Sequence, residues 1–388
     1  MSEIYKYILD LLRLELKGDS TELKKDIDYM QLYLITQSNS IEAMVYSALN
    51  KLNAEIPKEV NVLFDDSYDM SVTVEAIHDY ELECMEEAFD NNGVDFVPLK
   101  GSVLKYLYPE SNLRQRGDID ILLRETDMRK ADDIMKKLEY IGDELNDYEH
   151  HLGYRKEPFV IVELHKKLMS EKSRSYDYFK NIWDLMNPVS ENGHRYEMTK
   201  EDFYTYILAH FAKHIKSYGA GIRFVVDIFV IEQKWGEKLD REKLYKSLKK
   251  ANVFQFYEWV YKLQNWWFNG IETNDENVKN LSELILKSGT FGNNEIHKIN
   301  KDAMTISAPN EKKYMIKRIL NGIFPSYIYM RNEYPVLAKK KWLMPIFWII
   351  RGIDLISHPQ KLKKKVKYAT NINTEEAEKY KEIMKAMM

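Results

Sequence analysis

Apolar residues recur at helical spacing through most of the chain, and strand-like alternation appears only between about residues 93 and 170. Ile4, Tyr7, Ile8, Leu11 and Leu12 share one face of a helix over 3–17, which Gly18 stops. Further helical periodicity over about 20–36, 40–52 and 68–92 predicts an all-helical lead-in that packs against the strand-bearing region. At Asn91-Asn92-Gly93 the pattern changes. An apolar run, Phe96 to Leu99, reaches Gly101-Ser102, and Val103 to Leu107 reads as a brief helix. A polar loop then ends at Asp118-Ile119-Asp120, and Ile121 to Leu123 continue as an apolar strand. Thr126 can cap a helix bearing Met128, Ala131, Ile134, Met135 and Leu138 on one face, with Gly142 as its stop. Strand-like runs at about 148–155 and 159–165 are joined by the turn-forming Lys156-Glu157-Pro158. From 171 to about 330 the helical period returns.

These elements predict an α+β fold, in which a small mixed sheet over 93–170 lies between helical regions at 1–92 and 171–334. Residues 335–388 form a basic C-terminal arm. A chain of 388 residues, 45% hydrophobic, can bury a core of that size. Its net charge of −4 argues against a protein that coats nucleic acid with its whole surface. One cysteine, Cys84, excludes disulfides and a cysteine-built metal site, and reads as a buried small apolar side chain. The N-terminus carries acidic residues and no small-residue cleavage site, so the expectation is a cytoplasmic protein. A Walker A motif, a GxSxG elbow and internal repeats are all absent.

The chemistry concentrates at 96–123. Asp118 and Asp120 project from one face of a strand, about 6–7 Å apart along the chain, and repel each other unless a cation joins them. A hard divalent ion with oxygen ligands suits that pair. Gly101 permits close backbone approach to a phosphate, Ser102 can donate to its oxygens, and Lys100, Arg114 and Arg116 supply positive charge. In the strand 159–165, Val160, Val162 and Leu164 alternate with Phe159, Ile161, Glu163 and His165. Glu163 is the charge set among apolar neighbours, expensive to bury unless compensated.

Gly101-Ser102 followed by Asp118-Ile119-Asp120 between apolar residues resembles the signature of the DNA polymerase β-type nucleotidyltransferase superfamily. The longer string of Leu99-Lys100-Gly101, Tyr108-Pro109, Arg116 and Asp118 to Leu122 is similar to the bacterial uncharacterised nucleotidyltransferase family within it. The spacer after Ser102 holds fifteen residues, long for that superfamily. The resemblance implies transfer of a nucleoside monophosphate from an NTP to an acceptor hydroxyl or phosphate, with two Mg²⁺ ions, or Mn²⁺ in their place, on Asp118, Asp120 and Glu163. Glu163 then completes the metal under the nucleophile, with Glu157 its rival and His165 orienting it or a phosphate. Gly101-Ser102 cradles phosphates, while Lys100 with Arg114 or Arg116 offsets charge on pyrophosphate. The resemblance extends through His210, His214, Arg223 and Asp227, implying closure over the nucleotide or acceptor. A buried His–Asp hydrogen-bond network fits the same residues.

His210 and His214 lie one helical turn apart, but the zincin glutamate is absent between them, which sets aside metalloprotease chemistry. The aromatic run at 253–268 has the spacing of core packing, with base stacking as its other reading. Residues 335–368 hold nine lysines or arginines against one aspartate, a local charge of +8. Within them WLMPIFWII is too short to span a bilayer. That tail reads as an arm packed on its domain, the alternative being a surface-seeking segment drawn to anionic lipid or RNA. The acceptor, a small molecule, peptide or sugar precursor, or tRNA, is not encoded in any motif. Two other functions fit the same residues: an inactive nucleotide-binding scaffold, and a peripheral membrane adaptor.

Overall fold

The lead-in comprises α1 (Glu3–Lys17), α2 (Tyr29–Ser38), α3 (Glu42–Lys51) and α4 (Lys58–Asn91). Gly18 ends α1 at φ 76°, in the left-handed region, and its N–H returns to the Leu14 carbonyl. Residues 20–24 and 26–28 are not helical. Asp28 instead caps α2 by accepting from the Gln31 N–H at 2.9 Å. α4 starts ten residues earlier than the periodicity suggested, directly after Pro57, because Val60 and Phe64 extend its buried stripe. The computed structural model describes the whole chain except residues 25, 116, 143–150, 309, 311, 314, 317–319, 321–323, 359, 361–362, 364–371 and 388. The chain divides into two compact units, Met1–Ile296 and His297–Ala386.

In the first unit, β1 (Phe96–Pro98), α5 (Gly101–Leu104), β2 (Ile119–Leu123), α6 (Met128–Lys137), β3 (Ile141–Gly142), β4 (His151–Lys156) and β5 (Val160–His165) come after α4. The sheet order is β1-β2-β5-β4-β3, with β2 and β5 parallel and the other neighbours antiparallel. It is the small mixed sheet of an α+β fold. Ile119, Ile121 and Leu123 of β2 and Val160, Val162 and Leu164 of β5 point to one face. There they bury Leu82, Met85 and Phe89 of α4 and Ile134 and Met135 of α6. Each such side chain contributes roughly 1.5–3 kcal/mol when fully buried.

Two local expectations at α6 change. Thr126 lies within a 3₁₀ turn, Glu125–Asp127, and makes no cap, and the helix ends at Lys137, with Gly142 placed in β3. The expected strands at 148–155 and 159–165 are β4 and β5, residues 148–150 lying outside the described set. Beyond β5 the structure departs from an unbroken helical pattern. After the single turn α7 (Tyr176–Phe179), β6 (Met186–Pro188) and β7 (Tyr196–Met198) form a hairpin. Its segment Asn187-Pro188-Val189-Ser190-Glu191-Asn192-Gly193 is rich in turn formers and hostile to helix.

Then come α8 (Lys200–Lys216), α9 (Ile222–Trp235), α10 (Arg241–Lys250), α11 (Phe254–Asn269) and α12 (Glu276–Ser288). Phe211 of α8 stacks on Phe224 of α9 at 5.1 Å and meets Phe256 of α11 edge-on at 5.1 Å. Phe256, Tyr257, Trp259 and Trp267 are buried, so the aromatic run of α11 is core.

The second unit contains helices Tyr327–Glu333, Val336–Lys339 and Met344–Ser357, and all but the last residue of Thr374–Met387. Met330, Leu337 and Met344 form its small core, with Tyr327, Tyr334, Phe347 and Trp348 packed against them. Pro345 sits in the first turn of Met344–Ser357, where its missing N–H is harmless. Among the described residues, no helix is long and apolar enough to cross a membrane.

Candidate active site

The sheet face opposite the core carries the acids. Because β2 and β5 run parallel with Asp120 beside Glu163, the strand alternation that buries Ile119 and Val162 sends both carboxylates the other way. Asp118, one residue before β2, shares that side. Donor oxygens of Asp118, Asp120 and Glu163 lie within 4.8 Å of one another. Glu157, the rival, stands in the exposed turn before β5.

The β4 strand adds a residue that sequence reasoning missed. His151 pairs with His165 across β4 and β5, their rings 5.2 Å apart, and its Nε2 lies 3.6 Å from Glu163 Oε1. His151, Glu163 and His165 form a second group whose ligand atoms lie within 4.8 Å of one another. The strand prediction contained the signal, since period-two alternation places His151 and Gly153 on the face of Glu163, but the pairing partner is not a local property.

Charge is balanced inside the cluster. Lys100 Nζ donates to Asp120 Oδ1 at 2.6 Å, and His165 Nε2 donates to the same oxygen at 2.6 Å. Burial alone would raise the Asp120 pKa, but Lys100 and His165 hold it well below the usual carboxylate range. Asp118 behaves oppositely. Repulsion from Asp120, then burial, pushes its carboxyl up to about 6, with Lys100 and Arg223 pulling the other way. Glu163 would be raised by burial, yet the hydrogen bond from His165 leaves it lowered. His165 is raised, its burial outweighed by Asp120 and Glu163, whereas burial lowers His151 to about 4.

Lys100 reaches this position through an unusual backbone. At φ 43° and ψ −114° it adopts a conformation rare for any residue but glycine, at the turn where the Ser102 N–H meets the Leu99 carbonyl at 3.1 Å. Such a conformation costs on the order of 1–3 kcal/mol and persists where neighbours enforce it. The Leu99 N–H to the Asp120 carbonyl, 2.9 Å, and the Lys100–Asp120 ion pair do so. Gly101 and Ser102 are buried directly after this turn, at the start of α5.

The helix α8 covers the acidic face. Tyr206, His210 and Lys213 recur at i, i+4 and i+7, and all three feel the charge of Lys100. Lys213 keeps part of its side chain in solvent at the rim, while burial of its amine and then repulsion from Lys100 lower its pKa, with Glu163 and Asp120 pulling the other way. His210 and His214 contact each other, Nε2 to Nε2 at 3.2 Å, and lie against Phe224. Burial lowers His214 to about 4 and depresses His210 further.

Asp227 binds the loop before β2. It accepts from Arg114 Nε at 3.0 Å and Nη2 at 2.9 Å, and from Tyr108 Oη at 2.6 Å. Arg223, beside them, donates from Nη1 to the Gln115 carbonyl at 2.6 Å, and burial with Arg114 repulsion lowers it to about 10. Arg116 lies outside the described residues.

Three carboxylates and a lysine on a small mixed sheet, under a helical cover, form an oxygen-rich cluster suited to a divalent cation. No curated protein and no solved structure matches the chain. A family model described as an uncharacterised nucleotidyltransferase matches residues 25–269, which contain every residue of the acidic face and of its α8 cover. The chain therefore belongs to that nucleotidyltransferase family.

Proposed function

We propose that the protein transfers a nucleoside monophosphate from an NTP to an acceptor hydroxyl or phosphate and releases pyrophosphate. The convergence of Asp118, Asp120 and Glu163 within 4.8 Å carries this reading. Three hard oxygen donors fit Mg²⁺, and the raised pKa of Asp118 marks an excess of negative charge that a cation would relieve. Asp118, Asp120 and Glu163 would hold the ions, with Mn²⁺ an alternative to Mg²⁺. When bound, such ions stabilise the entering and leaving oxygens of an in-line displacement.

The chain's own groups do the remainder. His165 holds Asp120 and Glu163 together, and Glu163 would take the proton of the attacking hydroxyl. The turn at Lys100-Gly101-Ser102 is the proposed cradle for the β- and γ-phosphates. Lys100, with the rim amine of Lys213, offsets charge on the departing pyrophosphate. Arg114 is engaged by Asp227 and serves as a positioning residue for the loop that ends at Asp118.

One observation favours a second reading, a nucleotide-holding scaffold without turnover: Lys100 and His165 already neutralise Asp120, so no metal is required to keep the acids together. Incubation with each labelled NTP, Mg²⁺ and a cell extract separates the two. Transfer of label to an acceptor, lost in Asp120→Ala while the circular dichroism spectrum is retained, is the expected result. Undiminished transfer by Asp120→Ala would remove the assignment.

A further inference from the structure

The helix Met344–Ser357 is inside out. Its inward side carries Arg351, only 4% exposed and paired with Glu333, together with Phe347 and Trp348. Its outward side carries Ile346, Ile349, Ile350 and Ile353, which are 48%, 63%, 44% and 59% exposed. That spacing, i, i+3, i+4 and i+7, makes one continuous apolar stripe. Trp342, 73% exposed, stands in the 3₁₀ turn immediately before it, with Lys340 and Lys341 exposed alongside. A soluble surface helix has the reverse arrangement, so this stripe requires an occupant.

We propose that this face docks on an anionic lipid surface, the helix lying in the plane of the headgroups. Charge selects the occupant. Residues 335–368 carry +8, and with Arg351 buried against Glu333 it is the lysines of that stretch that attract acidic headgroups and repel a second copy of the same segment. Isoleucines enter the acyl boundary, and tryptophan favours the interface. A helix of 14 residues is roughly 21 Å long, too short for a hydrocarbon core of about 30 Å, so it lies on the membrane. The docked nucleotidyltransferase would then meet acceptors at, or carried by, a membrane surface.

Flotation of the full-length protein with vesicles of phosphatidylcholine alone, or with about a third phosphatidylglycerol, tests the proposal. Binding should require the anionic lipid and weaken with salt. Ile349→Glu with Ile350→Glu should lower partition about tenfold or more, with melting temperature and nucleotide binding unchanged, because both side chains are exposed. Equal binding by this variant, or no binding to either vesicle, overturns the proposal. Light scattering of the lipid-free protein supplies a second criterion. A dimer that Ile349→Glu dissociates, without vesicle binding, assigns the face to a second copy instead.

Discussion

Replacing Asp118 by Asn should make the metal-free protein more stable while abolishing its response to divalent cations. The substitution deletes one charge and almost no volume. Asp118 titrates at about 6 in the fold, chiefly because Asp120 repels its charged form, and burial adds to the effect. In the unfolded chain it titrates near about 3.9, so folding tightens its hold on a proton about a hundredfold. At about 1.4 kcal/mol per factor of ten, the ionised carboxylate costs the fold about 3 kcal/mol, and solvent around a half-buried side chain reduces the recoverable part to roughly 1–3 kcal/mol. The sign comes from proton counts. Between about pH 4 and 6 the folded state holds more protons than the unfolded one, so this group lowers stability as pH rises and exerts its full cost above that window. Urea unfolding in EDTA reads the effect. Near pH 7.5 the variant should be the more stable, and near about pH 4 its advantage should vanish, any effects common to both proteins cancelling. Added Mg²⁺ should raise the midpoint of the wild type alone. A variant destabilised near pH 7.5 would refute the claim that repulsion dominates at this site, and an unchanged Mg²⁺ response would remove Asp118 from the ligand set.

Two further outcomes test the surroundings of the cluster. Asp227→Ala leaves the buried Arg114 guanidinium and Tyr108 hydroxyl without their acceptor, and should cost about 3–5 kcal/mol in urea unfolding. A loss below about 1 kcal/mol would show that the loop before β2 is held by other means. His214 is kept neutral in the fold at about 4, against about 6.5 for a solvated imidazole, so its contribution to stability is full above 6.5 and is lost as pH falls toward 4. His214→Phe should therefore flatten the acid limb of the stability curve, and an unaltered slope would contradict the burial argument.

What the sequence revealed and what it concealed divide along a physical line. Alternation is a local property, so the shared face of Asp118 and Asp120, and the placement of Glu163 opposite Val162 and Leu164, could be read from adjacent residues. Their convergence needed only β2 and β5 to be neighbours, which the family resemblance supplied and the parallel pairing bears out. Partner choice is not local. A buried charge demands compensation, but Arg114 does not indicate that its carboxylate stands 113 positions away on α9, nor does Glu163 indicate that β4 will bring His151 against it. The hairpin at 186–198 was legible in its turn formers and was overlooked because the surrounding helical period is strong. Lys213 was hidden for a different reason. No motif marks it, and its place at the site rim depends on which side of α8 meets the sheet. That orientation is fixed by apolar packing, Phe211 against Phe224 and Phe256, on another face of the same helix. The polar cover of the acids is thus set by core packing on the far side of its helix. Phe211→Ala should therefore lower labelled-NTP transfer as well as stability in urea unfolding, and transfer that is undiminished in the folded variant would show that α8 is positioned by other contacts.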